Sequence, residues 1–380
     1  MSLAGFKKTM VPLSLVCHLF RVICLPYLFR SLSLPCQPHV DRMDRHGTFH
    51  WLNAIASGNP QALLVAKCVE RCFLTSIPDQ HEADRSSSAG KHWSSLSRII
   101  IPTDDDLLIA LGTFTNLSVL HLHEQSMSKV LLGALMAMSR LSVLKMTNCR
   151  AARKPPTVPS SWERTGVVVL EVTDCWSVGF PTLEEEHIPF IVQLVNQRHL
   201  RSLSTDSLLL LDALISEEAS PTEIEHLHIS IPEEADLDLY PPVFDYMTRC
   251  PRLKSLTSYT HDETDLPQSA CTELESLECL PSLAVEILDG NRPISTLTLY
   301  GGMNQEESDT AMDIMSRFAL TSSARPSPLT ELVLEVYDFV RFPVSFALAV
   351  QTFTLVTVRD FGKDLEYCLV SGCALVASLC

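Results

Sequence analysis

The chain has 380 residues, 46% of them apolar and 19% charged, with 45 acidic against 29 basic side chains and a net charge of −16. That apolar content is enough for a large core and excludes wholesale disorder. The acidic balance repels a phosphate backbone, and no dense basic stripe offsets it, so nucleic acid is excluded as a partner. The 13 cysteines are scattered, without a Cys-x-x-Cys pair. This predicts reduced, mostly buried thiols and a cytoplasmic or nuclear location.

At the N-terminus, Pro12 can open a helix in its first turn. Leu13, Val16, Cys17, Phe20, Ile23 and Cys24 follow at spacings of three and four, which makes one apolar face. Pro26 is expected to end or kink this helix. Leu28, Phe29, Leu32 and Leu34 then lead into a first strand. His18 and Arg21 interrupt the apolar run, and no cleavage site follows it. No stretch reaches the roughly 20 uninterrupted apolar residues of a membrane span.

Phe49, Trp51, Leu52, Ile55 and Ala56 predict a short amphipathic helix stopped by Gly58-Asn59-Pro60. Residues 79–95 are polar and low in complexity, and read as an exposed loop.

Beyond them a pattern takes over. Leu141-x-x-Leu144-x-Met146, with Cys149 ninth, is preceded by Leu117-x-x-Leu120-x-Leu122 and followed by Val167-x-x-Leu170-x-Val172, with Cys175 ninth. The pattern recurs from Leu200, Ile224, Leu253, Leu274, Ile294, Leu329 and Phe353, with upstream versions at Leu96 and, more weakly, Val69. Most spacings fall in or near the roughly 20–29 residues of leucine-rich repeats. Helical spacings lie between them, for example over Ser126–Met138 and His187–Gln197. The expected fold is α/β: a leucine-rich-repeat solenoid of about twelve repeats over residues 41–380. Its parallel sheet is curved and its helices line the outer side. A helical segment over residues 1–40 stands in front of it. Pro- and Ser-rich inserts at Ala151–Ser161, Ser216–Thr222 and Thr321–Pro328 map to loops, and the apolar tail from Cys368 to a last packed or capping element.

No nucleophile elbow, zinc-protease helix, dinucleotide fingerprint or calcium loop occurs, so no catalytic residue, metal or cofactor is expected. His121 with His123, and His226 with His228, sit two apart on predicted strands and share a face. Three strands separate the pairs, so a joint metal site is not expected and they read as solvated histidines. The acidic runs at Asp104–Asp106, Glu184–Glu186 and Glu233–Asp238 read as helix starts or exposed loops. Cys149 and Cys175 read as small core side chains.

The repeat does supply a surface. Its leucine places point into the core, so the residues between them line the sheet's concave face. His121, Lys145, Glu171, His228, Tyr259, Tyr300 and Arg359 are the candidate target-binding residues there. The two tyrosines are the best anchors.

Residues 12–34 resemble the second half of an F-box, in which a Leu-x-x-Val-Cys-x-x-Phe-like helix leads into Leu-Pro-x-Leu-Phe. The matching residues are Leu13, Val16, Cys17, Phe20, Leu25, Pro26, Leu28 and Phe29. With the repeats behind it, the layout is similar to fungal-type F-box/leucine-rich-repeat proteins. The opening Leu-Pro-x-Glu of the box has no counterpart in Met1–Met10, so half of it is present. The resemblance implies a non-catalytic substrate receptor of an SCF-type cullin–RING ubiquitin ligase. Pro12, Leu13, Val16, Cys17 and Phe20 would then contact the Skp-type adaptor, and a protein target would occupy the concave face. The alternative is a leucine-rich-repeat scaffold without a ligase, in which the segment only caps the first repeat.

Overall fold

The computed structural model describes residues 18–34, 54–55, 57–75, 110–127, 129–151, 166–173, 175, 188–195, 199–215, 223–230, 243–259, 266–288, 292–301, 310–311, 314, 330–336, 345–346, 352–360, 365–372 and 377–378. The chain divides into two compact units, Met1–His199 and Leu200–Cys380.

The first unit holds helices α1 (His18–Phe29), α2 (Pro60–Ala66), α3 (Lys129–Ala137) and α4 (Ile188–Leu194). Its strands are β1 (Ser31–Leu34), β2 (Arg71–Thr75), β3 (Val119–His123), β4 (Ser126–Met127), β5 (Val143–Thr147), β6 (Arg150–Ala151) and β7 (Val169–Thr173). Strands β1, β2, β3, β5 and β7 lie side by side in that order, every neighbour parallel. The short β4 and β6 pair separately.

The second unit holds α5 (Leu208–Leu214), α6 (Val243–Thr248) and α7 (Pro281–Leu288). Its strands are β8 (Ser202–Thr205), β9 (His226–Ile229), β10 (Ser255–Ser258), β11 (Ser276–Cys279), β12 (Thr296–Gly301), β13 (Glu331–Val336), β14 (Ser345–Phe346), β15 (Thr352–Asp360), β16 (Leu365–Gly372) and β17 (Ala377–Ser378). Strands β8 to β13 and then β15 are parallel neighbours in sequence order, and β16 returns antiparallel to β15.

Parallel strands cannot be joined by a tight turn, so each needs a crossover. The short helices are those crossovers. α2 begins at Asn59, whose Oδ1 accepts the N–H of Gln61 (3.0 Å) and of Ala62 (3.2 Å), with Pro60 in the first helical place. Gly58 precedes it at φ +76°, a left-handed conformation that favours glycine. α5 is capped in the same way by the Ser207 hydroxyl, which accepts the Leu210 N–H at 3.2 Å.

Burial alternates along the strands. In β3, β5 and β7 the second and fourth residues are buried and the others half-buried. Leu120, Leu144 and Leu170 pair across these strands, as do Leu122, Met146 and Val172. Leu203, Leu227, Leu256, Leu277, Leu297 and Leu332 make the equivalent row in the second unit. Each such side chain stabilises by roughly 1.5–3 kcal/mol on burial. A slip of one residue would turn a whole set outward, which is what holds the register. The helices cover these rows with Leu131 and Leu135 of α3, Leu210, Leu211 and Leu214 of α5, and Leu283, Ala284 and Ile287 of α7, all buried. Cys149 and Cys175 are buried at the strand ends. The Cys149 N–H donates to Cys175 Sγ at 3.3 Å, so their repeat position is one of packing. Asn148 just before takes a left-handed φ of 51°, which Asn tolerates well, and donates its N–H to Thr173 O at 3.0 Å.

Several expectations change. Of the two expectations for Pro26, an end or a kink, the end does not occur: α1 runs through Pro26 to Phe29. Pro26 sits in the last turn, so the helix loses only the one N–H that Pro lacks there. Gly58-Asn59-Pro60 leads into a helix, because Asn and Pro are suited to the cap and first-turn places; of the helix expected before it, over Phe49–Ala56, all but residues 54–55 lies outside the described residues. β2 has β1 on one side and β3 on the other, so the repeats that start at Val69 and Leu117 are direct neighbours; the repeat expected between them is at Leu96–Ile101. That segment is outside the described residues, as are the polar loop 79–95, the three acidic runs, the three Pro- and Ser-rich inserts apart from Ala151 in β6, and the expected boundary near residue 40.

At the end of the array Leu332 pairs with Phe353, not with Val356 as the repeat alignment predicts. A shift of three is odd, so the alternation reverses. Arg359 falls in the row of Leu332 and Leu334, not in that of Val333. The apolar tail enters the sheet edge as β16, which covers with an antiparallel strand what would otherwise be an open edge. Among the described residues no helix is long and apolar enough to cross a membrane.

Candidate functional site

With one face of each strand committed to the core, the other carries the side chains left to interact. In the first unit the row Phe73, His121, Lys145 and Glu171 runs across β2, β3, β5 and β7. Lys145 and Glu171 form an ion pair. The Phe73 and His121 rings meet edge to face, centroids 5.8 Å apart. His121 Nε2 lies 3.3 Å from Thr147 Oγ1. Burial, chiefly, holds the His121 imidazole below its ordinary value, and Lys145 and His123 act in the same direction against Glu171. The predicted residues His121, Lys145 and Glu171 are therefore one contiguous group, and Phe73 extends it.

In the second unit His228, Tyr259 and Tyr300 also come together, around a residue that sequence reasoning did not single out. Tyr259 directly follows β10 and Tyr300 is the penultimate residue of β12, two strands apart, which corresponds to roughly 9–10 Å of sheet. Their ring centroids are nevertheless only 4.7 Å apart, at 76°. They can meet because β11 stops at Cys279 and the chain turns into α7, leaving the place between them to be spanned by the rings. Below them stands Glu278 of β11. Tyr259 OH donates to Glu278 Oε1 at 2.9 Å, and Tyr300 OH donates to the same oxygen. Thr257 Oγ1 donates to Oε2 at 3.4 Å. His228 meets Tyr259 edge to face at 6.1 Å. Burial, and then the hydrogen bond to Glu278, push the Tyr300 phenol well above its ordinary value, so it stays protonated as a donor.

Ion pairs also mark the strand entrances of the second unit. Lys254 Nζ donates to Glu225 Oε2 at 2.8 Å, and Arg201 Nε lies 4.0 Å from Glu225 Oε1. Successive strands thus begin Arg201, Glu225, Lys254, Glu275, alternating in sign.

No protein-family model matches the chain, and no curated protein matches it. The site therefore stands on its own geometry. Among the described residues no group of three or more His, Cys, Asp or Glu is placed to hold a metal ion. Of the expected adaptor-binding residues, Pro12, Leu13, Val16 and Cys17 lie outside the described residues, and Phe20 lies in α1. What α1 does present is an exposed arc of Val22, Ile23, Pro26 and Tyr27, with Cys24 buried behind it. These four positions span about 140° of a helix at 100° per residue. The sequence reading placed Ile23 and Cys24 on one apolar face; Ile23 is half exposed and Cys24 is buried. Glu278 was legible as a strand position, and the register that pairs it with Thr257 and Thr298 is the signal that finds it.

Proposed function

We propose that this protein is a non-catalytic interaction subunit, a leucine-rich-repeat receptor that brings a protein target to an SCF-type cullin–RING ubiquitin ligase. The target would lie on the half-exposed face of the strands, and the Skp-type adaptor would meet the N-terminal helix. The observation that carries the reading is the exposed apolar arc of α1, Val22, Ile23 and Tyr27 each half or more exposed, immediately ahead of the parallel strand array. A helix that served only to cap the first strand would bury such residues. An exposed apolar face of this kind marks an interaction surface. The resemblance of residues 12–34 to an F-box helix supports the choice of adaptor.

The scaffold reading has its own support: β1 pairs with β2, so α1 and β1 form the first helix–strand step of the array. A pull-down with the purified adaptor decides between them. Capture of the full-length protein, lost in the triple variant V22A/I23A/Y27A with its circular dichroism unchanged, is the expected result. Failure of the unaltered protein to bind, alongside an intact F-box control that binds, refutes the ligase reading and leaves the scaffold.

A further inference from the structure

The acidic group at the centre of the second-unit cluster has an unusual set of partners. Glu70, Glu171, Glu223 and Glu225 each have an Arg or Lys nitrogen within ion-pair distance. Glu278 has hydroxyls instead, and among the described residues no Lys or Arg nitrogen reaches it. Its orientation is set by Tyr259 and Tyr300, which both donate to Oε1. Oε2 is left with one long bond, from Thr257 at 3.4 Å. A carboxylate offers about four acceptor sites, so Oε2 retains capacity for a further donor. The surroundings match in sign: by register, the described strand positions on this face of the second unit carry Glu278, Glu331, Glu335 and Asp360 as their charges, and no Lys or Arg. Tyr259 and Tyr300 are only half-buried.

We infer that the Tyr259–Glu278–Tyr300 cluster seats an arginine side chain of the protein target. The inference rests on reading the half-exposed face as the target surface. A guanidinium is planar, carries its donors in a fork and stacks on aromatic rings, so it can reach Oε2 while lying against a tyrosine. An ammonium is a compact, strongly hydrated point charge that gains less from the ring. The charge is complementary to this face and to the chain's net −16. The carboxylate is already oriented by its hydroxyl donors, so binding need not freeze it.

The test uses short Gly/Ser peptides that differ only in a central arginine, citrulline or lysine. They are titrated against the full-length protein with ring-labelled tyrosines, and binding is read from the Tyr259 and Tyr300 signals. Arginine is expected to bind about tenfold more tightly than citrulline, equivalent to about 1.4 kcal/mol, and more tightly than lysine. That preference should vanish in Glu278→Gln, which keeps the shape but not the charge, and persist in Glu331→Gln. Should Glu278→Gln not fold, Tyr300→Phe, which keeps the ring and removes a donor, should weaken the preference. Equal binding of arginine and citrulline, lysine equal to arginine, or an unchanged preference in Glu278→Gln overturns the inference. If the adaptor pull-down succeeds while this discrimination fails, the receptor reading stands and only the arginine seat is lost.

Discussion

Leu144 and Lys145 are adjacent in β5, and the strand turns them to opposite faces, so a matched pair of alanine substitutions tests the register directly. Leu144 is 1% exposed and lies between Leu120 and Leu170. Truncation removes its transfer free energy and leaves a cavity that packed neighbours fill only in part. Together these cost about 2–5 kcal/mol. Lys145 pairs with Glu171, but the two side chains are 38% and 29% exposed. Solvent screens that pair, and its loss costs about 0.2–1 kcal/mol. The assay is urea unfolding followed by far-UV circular dichroism, compared by midpoint at fixed slope. Leu144→Ala should lower the midpoint several times further than Lys145→Ala. Equal effects, or a larger loss at Lys145, would mean that the strand faces the other way and that the row Phe73–His121–Lys145–Glu171 is not a surface.

Substitutions at two further positions probe the second unit. Arg292 is buried and donates to the carbonyls of Ala270 (3.1 Å), Ile287 (2.5 Å) and Pro267 (3.0 Å), tying the last turn of α7 to the turn before β11. Leaving a buried acceptor unsatisfied costs roughly 1–3 kcal/mol, so Arg292→Met should lose at least about 2 kcal/mol in urea unfolding. Arg292→Lys should recover less than half of it, because an ammonium cannot fan out to three carbonyls. At the strand entrances, the hydrogen bond from Lys254 holds the Glu225 carboxyl below its ordinary value of 4.5. The stability it contributes is present above that value and is lost as pH falls through the lower folded one. Glu225 in turn raises Lys254 above its ordinary 10.5, a contribution present below that value and lost as pH rises through the folded one. Lys254→Met should flatten the acid limb of a stability–pH profile. An unchanged acid limb would mean that the pair is not formed in solution.

Much of the fold was legible because it rests on short-range rules. An apolar residue at every second place of a strand has one way to be buried, and the recurrence of Leu-x-x-Leu-x-Leu marks each crossing of the core. The pairing of Leu120, Leu144 and Leu170, and of Leu227, Leu256 and Leu277, follows from that pattern alone. The pattern misled where a competing interaction was non-local. β15 takes its register from β13 and β16 together, with an odd shift that moves Arg359 to the other row. Pro26 lies in the last turn of α1, so the N–H it lacks takes one bond from the end of the helix and does not divide it.

The sequence by itself determined the alternation, the parallel helix–strand order and, up to β13, the set of residues left on the half-exposed face. Each of these depends on a residue and its neighbours a few places away. Only the tertiary structure decided which members of that set meet. Tyr259 follows β10 and Tyr300 is in β12, strands that are not neighbours, and the two rings touch because β11 ends one residue after Glu278, so that both hydroxyls reach one carboxylate oxygen. Such a convergence depends on where the strand between them stops and how the side chains lean, and spacing along the chain carries neither.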